Sequence, residues 1–190
     1  MVRGKKLTAE QCQRVTICAE SGFITSQQHY QQIVSAADEH LDLVQQVLEY
    51  FKIDESQLIT IDALQTKEEV FAAADHYQWG DDTEQCLRVL QALINHPLCD
   101  AGTAILLFFK GCGYDSLSDS PMMPNPRYKE FYSQLIERFK NKQFHSYSIC
   151  FSPIEQGYMP NLDEYLAHGF YIPGEFLCPY ATLRIDTELE

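Results

Sequence analysis

The sequence has little positive charge. Its 190 residues include 14 Lys and Arg against 27 Asp and Glu, which gives a formal net charge of −13 at pH 7. A field of that sign repels phosphate backbones and anionic lipid, so we expect neither nucleic-acid binding nor membrane-surface binding. The same field attracts cationic partners, and a strongly basic protein is a natural one. Acidity also keeps proteins soluble, and composition alone does not separate these two explanations.

Long apolar runs and paired cysteines are also missing. The longest apolar run covers residues 104–109, far too few to cross a bilayer. The basic N-terminus is not followed by the apolar stretch that a signal peptide needs. The seven cysteines are an odd number without a CxxC pair. Free, buried thiols in a reducing compartment are the simplest account of them, so the sequence predicts a cytoplasmic protein.

Motifs of the common enzyme classes are absent as well. The sequence contains no P-loop, GxGxxG, HExxH or GxSxG. His96 and Cys99 are the only closely spaced pair of candidate metal ligands, and no second pair follows them. We therefore predict no metal and no cofactor. The lack of a motif does not exclude an enzyme, but it leaves no reason to propose one, and the prediction is a protein without catalytic activity.

Apolar residues at three- and four-residue spacing predict a mainly helical chain. Capping boxes at residues 8–11 and 66–69 indicate two helix starts. Pro97 is expected to end a helix that runs to Ile94, and Asp100 to cap a helix over residues 101–110. That second helix is apolar nearly all round, which predicts a central, buried position. A further helix is expected over residues 126–141, where bases outnumber acids.

The pattern changes after residue 144. Residues 145–152 alternate as a half-buried strand does, with Tyr147, Ile149 and Phe151 on one face, and residues 181–188 are a candidate strand to pair with them. The predicted fold is mainly α, a multi-helix bundle or array with a small β-containing C-terminal region; an α+β fold is the alternative. We expect one domain over 1–190, with an N-terminal helical region (8–65), a core (66–153) and a C-terminal extension (154–190).

Residues 95–103, Asn-His-Pro-Leu-Cys-Asp-Ala-Gly-Thr, form the densest polar cluster. A thiolate at a helix N-terminus can have a lowered pKa, which makes Cys99 a candidate nucleophile and His96 a candidate base. The alternative is a structural corner in which Pro97 ends one helix, Asp100 caps the next and Gly102 permits close packing. The structural interpretation is favoured, because the sequence shows neither a base within hydrogen-bond reach nor an oxyanion hole.

Two other groups of residues combine aromatic and acidic side chains. Trp79 and Asp82 stand in a Trp-Gly-Asp-Asp turn, which a capped corner anchored by the tryptophan explains. The C-terminal region mixes tyrosines with acids, an arrangement that suits a cationic partner but that burial of the tyrosines in the core explains equally well. The candidate protein-binding residues there are Tyr158, Asp163, Glu164, Tyr165, Tyr171 and Glu175.

Residues 76–117 contain Trp79 followed by two acids, and then Ile-Asn-His-Pro-Leu-Cys-Asp-Ala-Gly-Thr-Ala over residues 94–104. This stretch resembles an uncharacterised bacterial family, a domain of unknown function with a Trp-x-Asp-Asp motif and an Ile-Asn-His-Pro-x-Cys-Asp-x-Gly-Thr-Ala core. The similarity continues to Pro153 and leaves out residues 1–65 and the last 35. The family implies no chemistry. Its members resemble accessory proteins of bacterial conflict systems, in which small acidic cytosolic proteins neutralise a toxin made by the same cell.

Acidity, the missing motifs and this resemblance together favour an immunity-type protein. It is expected to bind a cognate, basic protein toxin and to occlude the active site or the substrate surface of that toxin. The alternatives are a small cytosolic enzyme that uses residues 95–103 and a helical adaptor protein. The sequence does not fix the oligomeric state.

Overall fold

The computed structural model describes residues 4–36, 40–78, 84–111, 113, 126–157, 174–177 and 181–189. The fold is mainly α-helical, as the sequence predicts, with a short two-stranded sheet in the described part of the chain. The chain divides into two compact units. Unit 1 comprises Met1–Leu98 and Ile185–Glu190, and unit 2 comprises Cys99–Arg184. The division therefore falls inside the stretch that the sequence groups as a core, residues 66–153.

Unit 1 contains five α-helices in its described part. They are α1 (Ala9–Glu20), α2 (Gln27–Ala36), α3 (His40–Phe51), α4 (Lys67–His76) and α5 (Glu84–Asn95). Two short 3-10 helices, Glu55–Gln57 and Ile61–Ala63, precede α4. An apolar core is shared by α1, α2, α3 and the segment after α3, and consists of Ile17, Ile24, Tyr30, Ile33, Val44, Val47 and Leu58.

The start of α1 follows from its capping box. Thr8 Oγ1 accepts a hydrogen bond from the Gln11 N–H, and Gln11 Oε1 accepts one from the Thr8 N–H, so two backbone donors are satisfied at the helix N-terminus. The helix ends before Gly22, whose φ of 78° is a conformation that glycine adopts without strain. Both ends of α1 are therefore determined by local sequence.

An ion pair joins α1 to α4 inside unit 1. Arg14 Nη2 donates to Glu69 Oε1 at 2.5 Å, and the Glu69 side chain is fully buried. Glu69 Oε2 accepts from the Gln65 N–H at 2.7 Å. Thr66 Oγ1 accepts from the Glu69 N–H, so this half of the second predicted capping box is present. The Glu69 carboxylate thus stabilises the position of α4 against α1.

The described strands pair differently from the prediction. β1 (Lys5–Lys6) pairs in parallel with β2 (Ile185–Asp186), both in unit 1. Residues 145–152 and 181–188 were expected to pair, but the bridge described between those stretches is Ile149 with Leu183 alone. The reason is that the N–H groups of Ser148 and Ile149 donate to the carboxylate of Asp100. Residues 145–152 therefore do not form a regular strand.

Unit 2 is built around α6 (Ala101–Lys110), which has the predicted bounds and is buried at every residue from Ala101 to Phe109. The helix α7 (Pro126–Lys140) packs on α6, and the ring of Tyr132 meets the ring of Phe108 edge to face with centroids 5.6 Å apart. The short helix α8 (Gly174–Leu177) adds Phe176, whose ring lies 5.1 Å from Phe108 and 4.7 Å from Phe139. Edge-to-face aromatic packing is therefore a large part of the described core of unit 2.

Candidate functional site

Asp100 is a buried carboxylate at the N-terminus of α6. Its Oδ1 accepts hydrogen bonds from the backbone N–H groups of Gly102 (2.8 Å) and Ile149 (3.1 Å). Its Oδ2 accepts from the N–H and the hydroxyl of Ser148, both at 3.0 Å, and from the hydroxyl of Ser146. The donors and the positive end of the helix dipole stabilise the buried charge. The predicted cap is confirmed, and the same carboxylate fixes residues 146–149 to α6.

Gly102 allows the backbone of residues 145–149 to approach α6. A Cβ atom at this position would lie 2.3 Å from the carbonyl oxygen of Ile149, closer than any side chain permits. The approach is maintained by hydrogen bonds from the His145 N–H to the Cys99 carbonyl (3.0 Å) and from the Ala101 N–H to the Ser146 carbonyl (2.8 Å). Close packing at Gly102 is therefore confirmed. We refer to residues 99–102 with residues 145–149 as the Asp100 corner.

Cys99 has the surroundings of a structural thiol. Its side chain is 1% exposed, and its Sγ donates a hydrogen bond to the Asp100 carbonyl at 3.6 Å. Burial raises the pKa of Cys99 to about 12, so the thiol is protonated at neutral pH. A nucleophilic cysteine needs access and a lowered pKa. The pKa of Cys99 is therefore raised, whereas the catalytic hypothesis requires a lowered pKa.

His96 directly follows α5 and lies near Leu98, where the first segment of unit 1 ends. Its Nδ1 accepts a hydrogen bond from the Leu98 N–H at 3.1 Å, while its buried Nε2 has no hydrogen bond of ordinary geometry with the described part of the chain. Burial lowers the pKa of His96, although the carboxylates of Asp62 and Glu69 and the nearby Leu64 carbonyl favour the protonated ring. The ring is therefore neutral at pH 7 and closes the turn after α5 as an acceptor.

The other residues predicted as site residues cannot be placed. Trp79 and Asp82 lie outside the described residues, and so do Tyr158, Asp163, Glu164, Tyr165 and Tyr171. Glu175 belongs to α8, but its side chain is not among those described. Their proposed roles in a corner or in protein binding remain predictions.

A surface groove lies in unit 1 between α1 and α3. It comprises two adjoining hollows of about 420 and 430 Å³, which share Thr16, Tyr50 and Phe51. The face of α1 that lines the groove is formed by Ala9, Cys12, Gln13, Thr16 and Glu20. The face of α3 is formed by Leu43, Gln46, Val47, Tyr50 and Phe51. We call this surface, together with the part of the sheet that lines one end of it, the α1–α3 groove.

The most exposed aromatic side chain of the groove is that of Tyr50. It is 79% exposed, lines both hollows and contacts the ring of Phe51 edge to face at 5.0 Å. Leu43 is another large apolar side chain that remains exposed on α3. Tyrosine is enriched at protein interfaces, because one ring buries much apolar area and offers a hydroxyl for hydrogen bonding. The exposed ring therefore fits a contact surface.

The groove is acidic at both ends. Glu20, at the end of α1, lines one hollow. Asp186 and Glu188, in and just after β2, line the other hollow together with Lys6, which is the only base among the described lining residues. Negative charge around an exposed aromatic ring favours a cationic partner, because charge steers the encounter and the ring then packs.

Tyr50 is not among the residues that the sequence singles out. The apolar stripe of α3 runs through Val44, Val47 and Phe51, which pack inward, and Tyr50 lies off that stripe. A usable signal was present, because Leu43 and Tyr50 are seven residues apart and so form a second apolar line on the same helix. Nothing in the sequence indicates that α1 faces that line.

The described ranges contain neither a cluster of metal ligands nor a helix that could span a membrane. Within them, no three His, Cys, Asp or Glu side chains are grouped so that they could hold a metal ion. In the same ranges, no helix is both long and apolar enough to cross a membrane.

Comparison of the chain with family models, with curated proteins and with solved structures gives no match. The resemblance of residues 76–117 to an uncharacterised bacterial family therefore stays a prediction from the motifs themselves.

Proposed function

We propose that this protein is an immunity-type protein, which binds a cognate basic protein toxin and neutralises it by covering the active site or the substrate surface of the toxin. The observation that carries the proposal is the α1–α3 groove, in which the exposed Tyr50 lines both hollows and carboxylates lie at both ends. An aromatic anchor within an acidic surface is the arrangement that recognises a cationic protein.

The charge of the whole chain supports the same partner. A formal net charge of −13 accelerates encounter with a basic protein and disfavours binding to nucleic acid. The effect is strongest at low ionic strength, because salt screens charges that lie more than about 10 Å apart at 0.1 M. The proposed mechanism is steric and electrostatic, and it needs no catalytic residue in this chain.

The enzyme alternative, with Cys99 as nucleophile or His96 as base, is less well supported. The Cys99 thiol is buried and protonated, the His96 ring is buried, and the neighbouring Asp100 carboxylate is occupied by structural hydrogen bonds. Cys99→Ala is therefore expected to leave any protective activity intact, provided that the variant folds. A folded Cys99→Ala variant without activity would favour the enzyme.

The test is affinity purification of the tagged protein from its native host at low salt, followed by mass spectrometry. We expect one stoichiometric basic protein that harms the cell when it is expressed alone and becomes harmless when this chain is co-expressed. Purified components then have to form a complex and block the activity of the toxin in vitro. Protection in the cell without a direct complex would rule out the proposal, and so would the absence of any retained protein at low salt.

A further inference from the structure

The α1–α3 groove has the length of a short bound helix. The lining residues recur every three or four positions along both helices, from Ala9 to Glu20 on α1 and from Leu43 to Phe51 on α3. Glu20 at the end of α1 lines the same hollow as Leu43 near the start of α3, so the two helices run antiparallel. Each helix has 12 residues and is therefore about 18 Å long. A third helix of about three turns would lie along the groove between them, as in ordinary helix packing.

An extended peptide suits the groove less well than a helix. The walls are two α-helices whose backbone N–H and C=O groups are bonded within each helix, so they offer an incoming strand few backbone partners. The strands β1 and β2 each have two residues, and they reach only one end of the groove. A helix satisfies its own backbone hydrogen bonds and needs only side-chain contacts from its binding site.

The charges at the two ends of the groove specify the kind of helix. Glu20 lies at one end, and Asp186 and Glu188 lie at the other together with Lys6, so the described lining residues give each end a net negative charge. The floor between them includes Val47 and Phe51. A complementary helix has an apolar stripe that enters the two hollows and contacts the Tyr50 ring that lines them, and Lys or Arg residues near both ends.

We propose that the α1–α3 groove binds a basic amphipathic helix of a partner protein. The identity of that partner as a toxin rests on the proposed function, whereas the preference for a basic helix rests on the groove alone. The bound helix presents apolar residues at i, i+3, i+4 and i+7, and Tyr50 packs against its apolar face.

The test uses two synthetic peptides of about 14 residues, long enough to fill the groove. In the first, leucines recur at i, i+3, i+4 and i+7 and lysines fill the other positions; in the second, the same residues are rearranged so that no single apolar face forms. Fluorescence anisotropy gives the affinities, and amide NMR shifts of the labelled full-length chain locate the binding site. We expect the amphipathic peptide to bind at least about tenfold more tightly than its rearranged form, with the largest shifts in α1 and α3.

Variants connect this binding to the groove. Tyr50→Ala is expected to weaken binding of the amphipathic peptide about tenfold or more, and Tyr50→Phe to retain most of it, because the ring supplies the contact. Glu20→Lys should weaken binding and reduce its salt dependence. Ile154→Ala and Glu130→Lys serve as matched controls, since both residues are exposed and belong to unit 2, and they should change the affinity less than about twofold.

Three results would overturn the proposal. The peptides could bind equally well, the unit 2 controls could weaken binding as much as Tyr50→Ala, or the wild-type chain could form a dimer that Tyr50→Ala abolishes, which would make a second copy the occupant. The groove proposal and the proposed function can fail separately. If the Tyr50→Ala variant neutralises a toxin as well as the wild type does, the groove is not the contact surface, but the immunity function stands. If the groove binds the amphipathic peptide and no toxin partner exists, the groove proposal stands and the immunity function fails.

Discussion

The Asp100 corner in unit 2 and the α1–α3 groove in unit 1 differ in the burial and the hydrogen bonding of the side chains that make each of them a candidate site. At the corner, both oxygens of Asp100 accept hydrogen bonds from within unit 2, and Cys99 is buried as a protonated thiol. In the groove, Tyr50 is left in solvent, with Glu20 exposed at one end. The corner has residue types typical of catalysis but uses them for stability, while the groove has ordinary residue types and leaves them available to a partner.

The largest effect is expected from Asp100→Ala. The substitution removes the acceptor of the buried N–H groups of Gly102 and Ile149 and of the part-buried N–H of Ser148, and the expected loss is about 4 kcal/mol of unfolding free energy. Urea denaturation measures it. Asp54→Ala is the matched control, because Asp54 also caps a helix, the 3-10 helix Glu55–Gln57, but in an exposed position, and it should cost much less. Equal losses for the two variants would mean that the corner is not a structural centre.

A smaller loss, about 3 kcal/mol, is expected from Arg14→Leu. It leaves the fully buried Glu69 carboxylate with the Gln65 N–H but without its guanidinium partner. The double variant Arg14→Leu/Glu69→Leu should lose less than the sum of the two single variants, because no buried charge is then left unpaired. Additive losses in the double-mutant cycle would contradict a buried ion pair between α1 and α4.

Gly102→Ala should lower the free energy of unfolding by about 2 kcal/mol, although alanine is the better helix former. Its Cβ would lie 2.3 Å from the Ile149 carbonyl oxygen, so the backbone of unit 2 would have to shift. Gly174→Ala, where a Cβ would meet nothing within 4 Å, is the control and should not lower stability. Thermal melts of the two variants compare them directly; a neutral Gly102→Ala would contradict the close approach.

The smallest effect on stability is the pH dependence that His96 contributes. Because burial lowers the pKa of His96 below its ordinary value of 6.5, the unfolded chain binds a proton at a higher pH than the folded chain. The contribution to stability is complete above pH 6.5 and decreases as the pH falls through that value. Urea midpoints between pH 7.5 and 5.5 should fall more steeply for the wild type than for His96→Asn, which keeps an acceptor for the Leu98 N–H. Parallel slopes would show that His96 is not buried in neutral form.

The parts of the fold that depend on neighbouring residues were predictable from the sequence. Thr8 with Gln11 defines the start of α1, and Asp100 defines the start of α6, because a cap acts within one helical turn. The all-apolar pattern of α6 also predicts its burial correctly. Local chemistry was sufficient in these cases.

The parts that depend on distant residues were not predictable. Residues 145–152 alternate like a strand, but the sequence does not show that the N–H groups of Ser148 and Ile149 donate to a carboxylate almost fifty residues earlier. The pairing of β1 with β2 joins the two ends of the chain, and no local pattern indicates it. The α1–α3 groove likewise exists only once α3 has packed against α1. Long-range packing, which a single sequence does not encode in a readable pattern, created the candidate binding surface.

The groove is tested as the contact surface by measuring the affinity of the co-purified partner for three forms of this chain: wild type, Tyr50→Ala and Ile154→Ala. Both variants remove a large exposed side chain, the first in the groove and the second in unit 2. If the groove is the contact surface, Tyr50→Ala binds the partner about 30-fold more weakly than the wild type, as for an interface residue that contributes about 2 kcal/mol, while Ile154→Ala binds normally. If all three forms bind the partner with equal affinity, the α1–α3 groove is not the contact surface.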